Sequence, residues 1–206
     1  MPFLTKYQES KFECLIWKID ESAHFFSSKL NIHAVALKQI QLKYRHNDTK
    51  VQWLASRYCL ELLFERPYQD FIKDNKGKPS LIDQSYELSI SHCSRYTAVV
   101  KSSYNIGVDI QQSTNKLQRI AHKYISKEIL NHLETSPHYL AYLHLYWGIK
   151  EALFKAYGKG KLNFIQHLHI KDFVYSAKGT TKAQIIKDDI RIDYDVFFEQ
   201  QEDFYL

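Results

Sequence analysis

Ser136-Pro137-His138-Tyr139-Leu140-Ala141-Tyr142-Leu143-His144-Leu145-Tyr146-Trp147-Gly148-Ile149-Lys150-Glu151-Ala152-Leu153-Phe154-Lys155 is the stretch that most constrains the fold. Ser136 suits an N-cap, Pro137 suits the first helical position, and Gly158 is placed to end a helix predicted over 137–157. From Tyr139 to Phe154 only His144, Gly148, Lys150 and Glu151 are not apolar. A helix apolar on nearly every face is buried. Helical spacing aligns Glu151 with Leu143, Trp147 and Phe154, so its carboxylate should be neutralised, hydrogen-bonded or bound to a cation. The plainer reading is a surface pair with Lys155 at i,i+4, worth about 0.3–0.5 kcal/mol.

Upstream, Ile106-Gly107-Val108-Asp109-Ile110-Gln111 reads as a strand within 105–111. Alternation sends Ile106, Val108 and Ile110 to one face and Gly107, Asp109 and Gln111 to the other. Asp is depleted within strands, so Asp109 either caps a turn at the strand end or serves a site. Two carboxylates and an amide on elements that pack together would form an oxygen-rich pocket suited to Mg²⁺, with substrate phosphates and water completing its shell.

The same plan extends outward. Strands are predicted over 12–19, 87–91 and 96–101, and a helix from an Asp48 cap to Phe64, stopped by Arg66-Pro67. Beyond Gln111 come helical segments over 117–133 and 137–157. Strands follow over 167–175, 182–187 and 190–198, the last two joined at Asp188-Asp189. Each half is therefore strand, helix, then antiparallel strands: an α+β fold dividing into residues 1–104 and 105–206. A single irregular α+β domain is the alternative.

The chain of 206 residues is long enough for a real core, and 45% hydrophobic with 25% charged residues excludes wholesale disorder. No apolar run approaches the ~20 residues of a membrane span. The N-terminus lacks a basic head followed by an apolar stretch. Three scattered cysteines fit neither a disulfide framework nor a zinc site. A cytoplasmic, monomeric protein is expected. Net charge +5 without a basic block argues against nucleic acid and suits an acidic protein partner or a phosphorylated ligand.

At the level of motifs, the chain resembles the Sfp-like 4'-phosphopantetheinyl transferases. Gly77-Lys78-Pro79 is similar to that family's G-K-P segment, and Ser89-Ile90-Ser91-His92-Cys93 to its N-I-S-H-S strand end. Ile106-Gly107-Val108-Asp109-Ile110 resembles its I-G-[IV]-D-[IV] strand. Trp147 to Lys155 resembles its W-[ST]-x-K-E-[AS]-x-x-K helix, followed by Gly158-Lys159-Gly160. These segments occur in the family's order, with Asp109 preceding Glu151 by 42 positions (151 − 109).

The resemblance implies two similar α+β halves related by pseudo-twofold symmetry, with the active site and coenzyme A between them. It implies Mg²⁺-dependent transfer of 4'-phosphopantetheine from coenzyme A to a serine of an acidic acyl or peptidyl carrier protein, releasing adenosine 3',5'-bisphosphate. It assigns Asp109 and Glu151 to the metal, with Gln111 where the family often has a third acid, and Glu151 to the serine proton as well. Lys150 and Lys155 fall to the pyrophosphate, and Lys78, Pro79, Ser91, His92 and Arg57 to coenzyme A. Gly148 stands where the family has a small hydroxylic residue. The competing expectation is a non-catalytic coenzyme A- or phosphate-binding regulatory protein on the same fold. A different Mg²⁺-dependent phosphoryl or nucleotidyl transferase finds no P-loop, kinase signature or D-x-D pair.

Overall fold

Apolar alternation and turn residues draw the first set of strands. The structure, a computed structural model, describes residues 4–202 and 204–206. The chain divides into two compact units, Met1–Val108 and Asp109–Leu206.

In the first unit, β1 (Leu4–Gln8), β2 (Glu13–Lys18), α1 (Ala23–Lys29), α2 (Ala34–Lys43) and α3 (Asn47–Phe64) are followed by the short hairpin β3 (Phe71–Lys73) and β4 (Pro79–Leu81), then by β5 (Glu87–Cys93) and β6 (Tyr96–Ser102). The main sheet is antiparallel in the order β1-β2-β6-β5. The β5–β6 hairpin closes through Ser94-Arg95, with Ser94 in the left-handed region at φ 43°. α3 packs on β6 and β2, burying Leu54, Ala55, Cys59 and Leu60 against Leu15, Trp17, Leu88 and Val99. His46, not Asp48, precedes its first turn. Asp48 sits inside that turn, where a carboxylate favours the positive end of the helix dipole. The helix ends at Glu65, left-handed at φ 55°, just before Arg66-Pro67.

The second unit contains β7 (Gln111–Gln112), α4 (Lys116–Ile120), α5 (Lys127–Leu133), α6 (Tyr139–Tyr157), β8 (Leu168–Ile170), β9 (Lys178–Lys187), β10 (Ile190–Glu199) and β11 (Phe204–Tyr205). β10, β9 and β8 form an antiparallel sheet, and β7 pairs with β11. α6 runs through the middle of this unit, packing on α4, β8, β10 and β11. Its apolar faces are buried as their composition requires, with Leu143, Leu145, Ile149 and Leu153 all inside. Gly158, at φ 65°, ends it through a bond from its N–H to the Phe154 carbonyl. No helix among the described residues is long and apolar enough to cross a membrane.

Several predicted elements differ. The helix over 117–133 is broken, because Tyr124 and Ile125 turn into the core and Ser126 caps α5 by accepting the Ile129 N–H. α6 starts at Tyr139, and Ser136 and Pro137 lie in the turn before it. Of the strand over 167–175 only Leu168–Ile170 pairs. Phe173 instead packs against Tyr142, Tyr146 and Phe198. Within 105–111 only Gln111 is laddered, although Val108 and Ile110 are buried and Asp109 and Gln111 are half-buried, as alternation requires. Among the described residues the two units carry different sheets, four strands in the first and three plus two in the second, with the separate β3–β4 pair also in the first.

Candidate active site

Strand chemistry and a gap in helix α6 build the site. Asp109 and Gln111 project from one side of the 108–111 segment while Ile110 points into the core. On α6, Gly148, Glu151 and Lys155 recur at i, i+3 and i+7, one face of the helix. Gly148 faces the strand side chains with room for no more than a Cβ in ordinary contact. A Cβ built there would lie 3.4 Å from Gln111 Nε2 and 3.8 Å from Asp109 Oδ2.

Across that gap the groups pair. Lys155 Nζ donates to Asp109 Oδ1 at 2.8 Å, and the Asp109 side chain keeps only 10% exposure. Gln111 Nε2 donates to the His144 carbonyl at 2.8 Å. Burial, and then the neighbouring Asp109 charge, raise the pKa of the Glu151 carboxyl, while Lys155 opposes them. The cluster thus holds two carboxylates, one ammonium and one amide. Among the described residues no group of three or more His, Cys, Asp or Glu is gathered for a metal. The donor set that exists is two hard carboxylates plus an amide oxygen. It fits Mg²⁺ of the kind held by one or two carboxylates, with substrate phosphate and water as the remaining ligands.

His144 is wholly buried, and its Nε2 accepts the Thr114 N–H at 3.0 Å. Its ring stacks on Tyr205 at 4.4 Å between centroids. Burial pushes its pKa down to about 4, so the imidazole is neutral and carries its proton on Nδ1. Lys150, which the motif resemblance assigns to the pyrophosphate, is buried. Its Nζ donates to the Phe164 carbonyl at 2.5 Å, and burial depresses its pKa to about 8. Phe164 packs in turn on Trp147 and Phe154. Lys150 therefore anchors the segment after Gly158-Lys159-Gly160.

The first unit gathers cations of its own. Arg57, 9% exposed, stacks its guanidinium 4.6 Å above the Trp53 ring and donates to Ser56 Oγ. The Lys73 pKa is lowered by burial and by the charges of Arg57 and Lys43, which sets three cations in one locality. Lys78 Nζ donates to Glu87 Oε2 at 3.0 Å. Its own N–H and that of Lys76 are held by Asp74 Oδ1 in a turn whose Gly77 sits at φ 87°. Pro79 starts β4. In β5, Ser91 is buried and His92 is exposed opposite Thr97.

The structure therefore brings Asp109, Gln111, Glu151 and Lys155 together, and separately Lys43, Arg57 and Lys73. Sequence reasoning missed Lys73, Thr114, Tyr205 and the role of His144. The one available signal was that His144 interrupts an apolar helix. His167 Nδ1 accepts the Asn163 N–H, and the His169 ring meets the Gln166 carbonyl, so both serve local turns.

Residues 105–204, just under half of the chain, match the family model of the 4'-phosphopantetheinyl transferase superfamily. Asp109, Gln111, Gly148, Glu151 and Lys155 all fall within the match. No curated protein matches the chain.

Proposed function

We propose that the protein transfers the 4'-phosphopantetheine arm of coenzyme A to a serine hydroxyl of an acyl or peptidyl carrier protein in a Mg²⁺-dependent reaction. The observation that carries this reading is the Asp109–Lys155 pair beside Glu151, within a segment matching a phosphopantetheinyl transferase superfamily. Asp109 and Glu151 would hold the ion. When bound, Mg²⁺ supplies positive charge to a diphosphate that gains negative charge as it is cleaved.

The chain's own residues do the rest. The serine Oγ–phosphorus bond forms as the pyrophosphate P–O bond breaks, and adenosine 3',5'-bisphosphate leaves. The serine proton passes to Glu151 Oε, directly or through a water. Lys155 Nζ, fixed on Asp109 Oδ1, would bring its positive charge to the pyrophosphate. Lys43, Arg57 and Lys73 concentrate the charge that a nucleotide phosphate needs, and Lys78, Pro79, Ser91 and His92 would contact coenzyme A as the motif resemblance implies. Net charge +5 suits an acidic carrier. A cytoplasmic, monomeric enzyme completes the reading.

Release of adenosine 3',5'-bisphosphate from coenzyme A tests it. Product should appear only when an apo-carrier and Mg²⁺ are both present, and excess chelator should stop it. Tight coenzyme A binding without any release would favour the non-catalytic alternative.

A further inference from the structure

The two departures from the family pattern, Gln111 and Gly148, are neighbours in space, separated by 3.4 Å when a Cβ is built on the glycine. They are therefore one feature. We infer that Gln111 is a positioning residue whose amide N–H latches β7 to the His144 carbonyl of α6 and so holds Asp109 in place over Gly148. This rests on the proposed metal-assisted reaction for its functional consequence and on geometry alone for the latch.

The latch has three fastenings. The Gln111 side chain donates to the His144 carbonyl. The Thr114 N–H donates to the imidazole of the same residue, three positions further along the strand segment. The ring of His144 stacks on Tyr205, which is the β-ladder partner of Gln111. One helical residue thus grips the 111–114 segment from its backbone, its ring and its ladder partner, and Asp109 lies two residues upstream.

The first fastening needs a donor, which the amide supplies. A carboxylate at position 111 has the same shape but no donor, and would set an oxygen against the carbonyl oxygen where the N–H now lies. The side chain would swing away and Asp109 would lose its brace. Gln111→Glu should therefore weaken metal binding, although it adds a negative charge to the site. If position 111 acted only as a ligand, the added charge should tighten binding instead.

The test uses the full chain with Gln111→Glu and Gln111→Met, which both remove the donor and differ in charge. Thermal unfolding in excess chelator reads the latch without any metal. Calorimetric titration with Mn²⁺ as probe then reads the site. We expect both variants to lose about 2–6 °C in Tm, the shift for one lost hydrogen bond in a chain of this size. We also expect both to need at least ~3-fold more Mn²⁺ for half-saturation, since affinity falls when a ligand is left unbraced. A wild-type Tm for either variant, unchanged Mn²⁺ affinity in both, or tighter Mn²⁺ binding by Gln111→Glu would overturn the inference. If one variant does not fold, the other carries the test. Absence of transfer activity in the wild type would sink the proposed function and leave these two readouts to decide the latch on their own.

Discussion

Acidification should unlock the second unit through His144. The ring is wholly buried, and its pKa is pushed from 6.5 to about 4 by burial. Protonation at Nε2 would also destroy the acceptor for the Thr114 N–H. The folded-state value is depressed, so above pH 6.5 both states are neutral and nothing is lost. Between 6.5 and 4 the unfolded chain takes up a proton that the folded chain refuses. Stability then falls by about 1.4 kcal/mol per pH unit, reaching a loss of about 3 kcal/mol near pH 4, where it levels off. That is a large part of the roughly 5–15 kcal/mol that holds a domain folded. Carboxylates titrate in the same range, so the isolating comparison is His144→Gln, which keeps an acceptor for Thr114 and cannot take up the proton. Urea unfolding of both proteins at several pH values from 7.5 to 4.5 gives the difference directly. We expect His144→Gln to be the less stable protein at pH 7.5 and to lose the smaller amount of stability on acidification. Parallel curves would refute the reasoning, because they would mean that His144 titrates alike in both states.

Other perturbations should act at single links. Asp109→Asn should lower turnover by at least ~10²-fold if metal-assisted charge stabilisation carries several kcal/mol. Glu151→Gln should be as damaging or more so, and a mild effect from either in steady-state assays would mean the site is misplaced. His92→Ala and Lys78→Ala should raise KM for coenzyme A more than they lower kcat, because their suggested partners are ground-state phosphates. Unchanged KM in both would remove the first unit's proposed role. Two glycines should respond oppositely in thermal melts. Gly148→Ala meets only ordinary contacts and gains up to ~1 kcal/mol of helix propensity. Gly179→Ala would bring a Cβ to 2.7 Å from the buried Phe198 ring, and overpacking of this kind costs about 1–3 kcal/mol. Equal melting shifts would contradict this contrast.

Local signals were legible in the sequence where short-range physics decides. Gly158 ends α6 as expected, and the turn at Asp188-Asp189 closes its hairpin in register, whereas the connection expected over 92–95 narrows to Ser94-Arg95 because His92 and Cys93 stay in the ladder. Period-two alternation sorted Val108 and Ile110 from Asp109 and Gln111 even though most of that segment has no ladder partner. The pairing of Asp109 with Lys155 was not legible from spacing, since it joins positions 46 apart through packing of the strand on Gly148. The β7–β11 pair joins Gln111 to Tyr205 across the whole unit, and nothing near either residue announces it. The contact of Lys150 was not legible either, since its long stem carries the ammonium inward to the Phe164 carbonyl, 14 positions away. Arg57 drew attention as a basic residue, but only the fold adds Lys73 from a separate strand to make a concentrated charge.

The most direct measurement is the intact mass of a panel of apo-carrier proteins incubated with this protein, coenzyme A and Mg²⁺, beside a known phosphopantetheinyl transferase as positive control. We expect at least one carrier to gain the mass of one phosphopantetheinyl group, with the gain lost in Asp109→Asn and when the acceptor serine is replaced by alanine. Carriers that the control enzyme loads but that this protein leaves at their apo mass, throughout the panel and in excess Mg²⁺, would contradict the assignment.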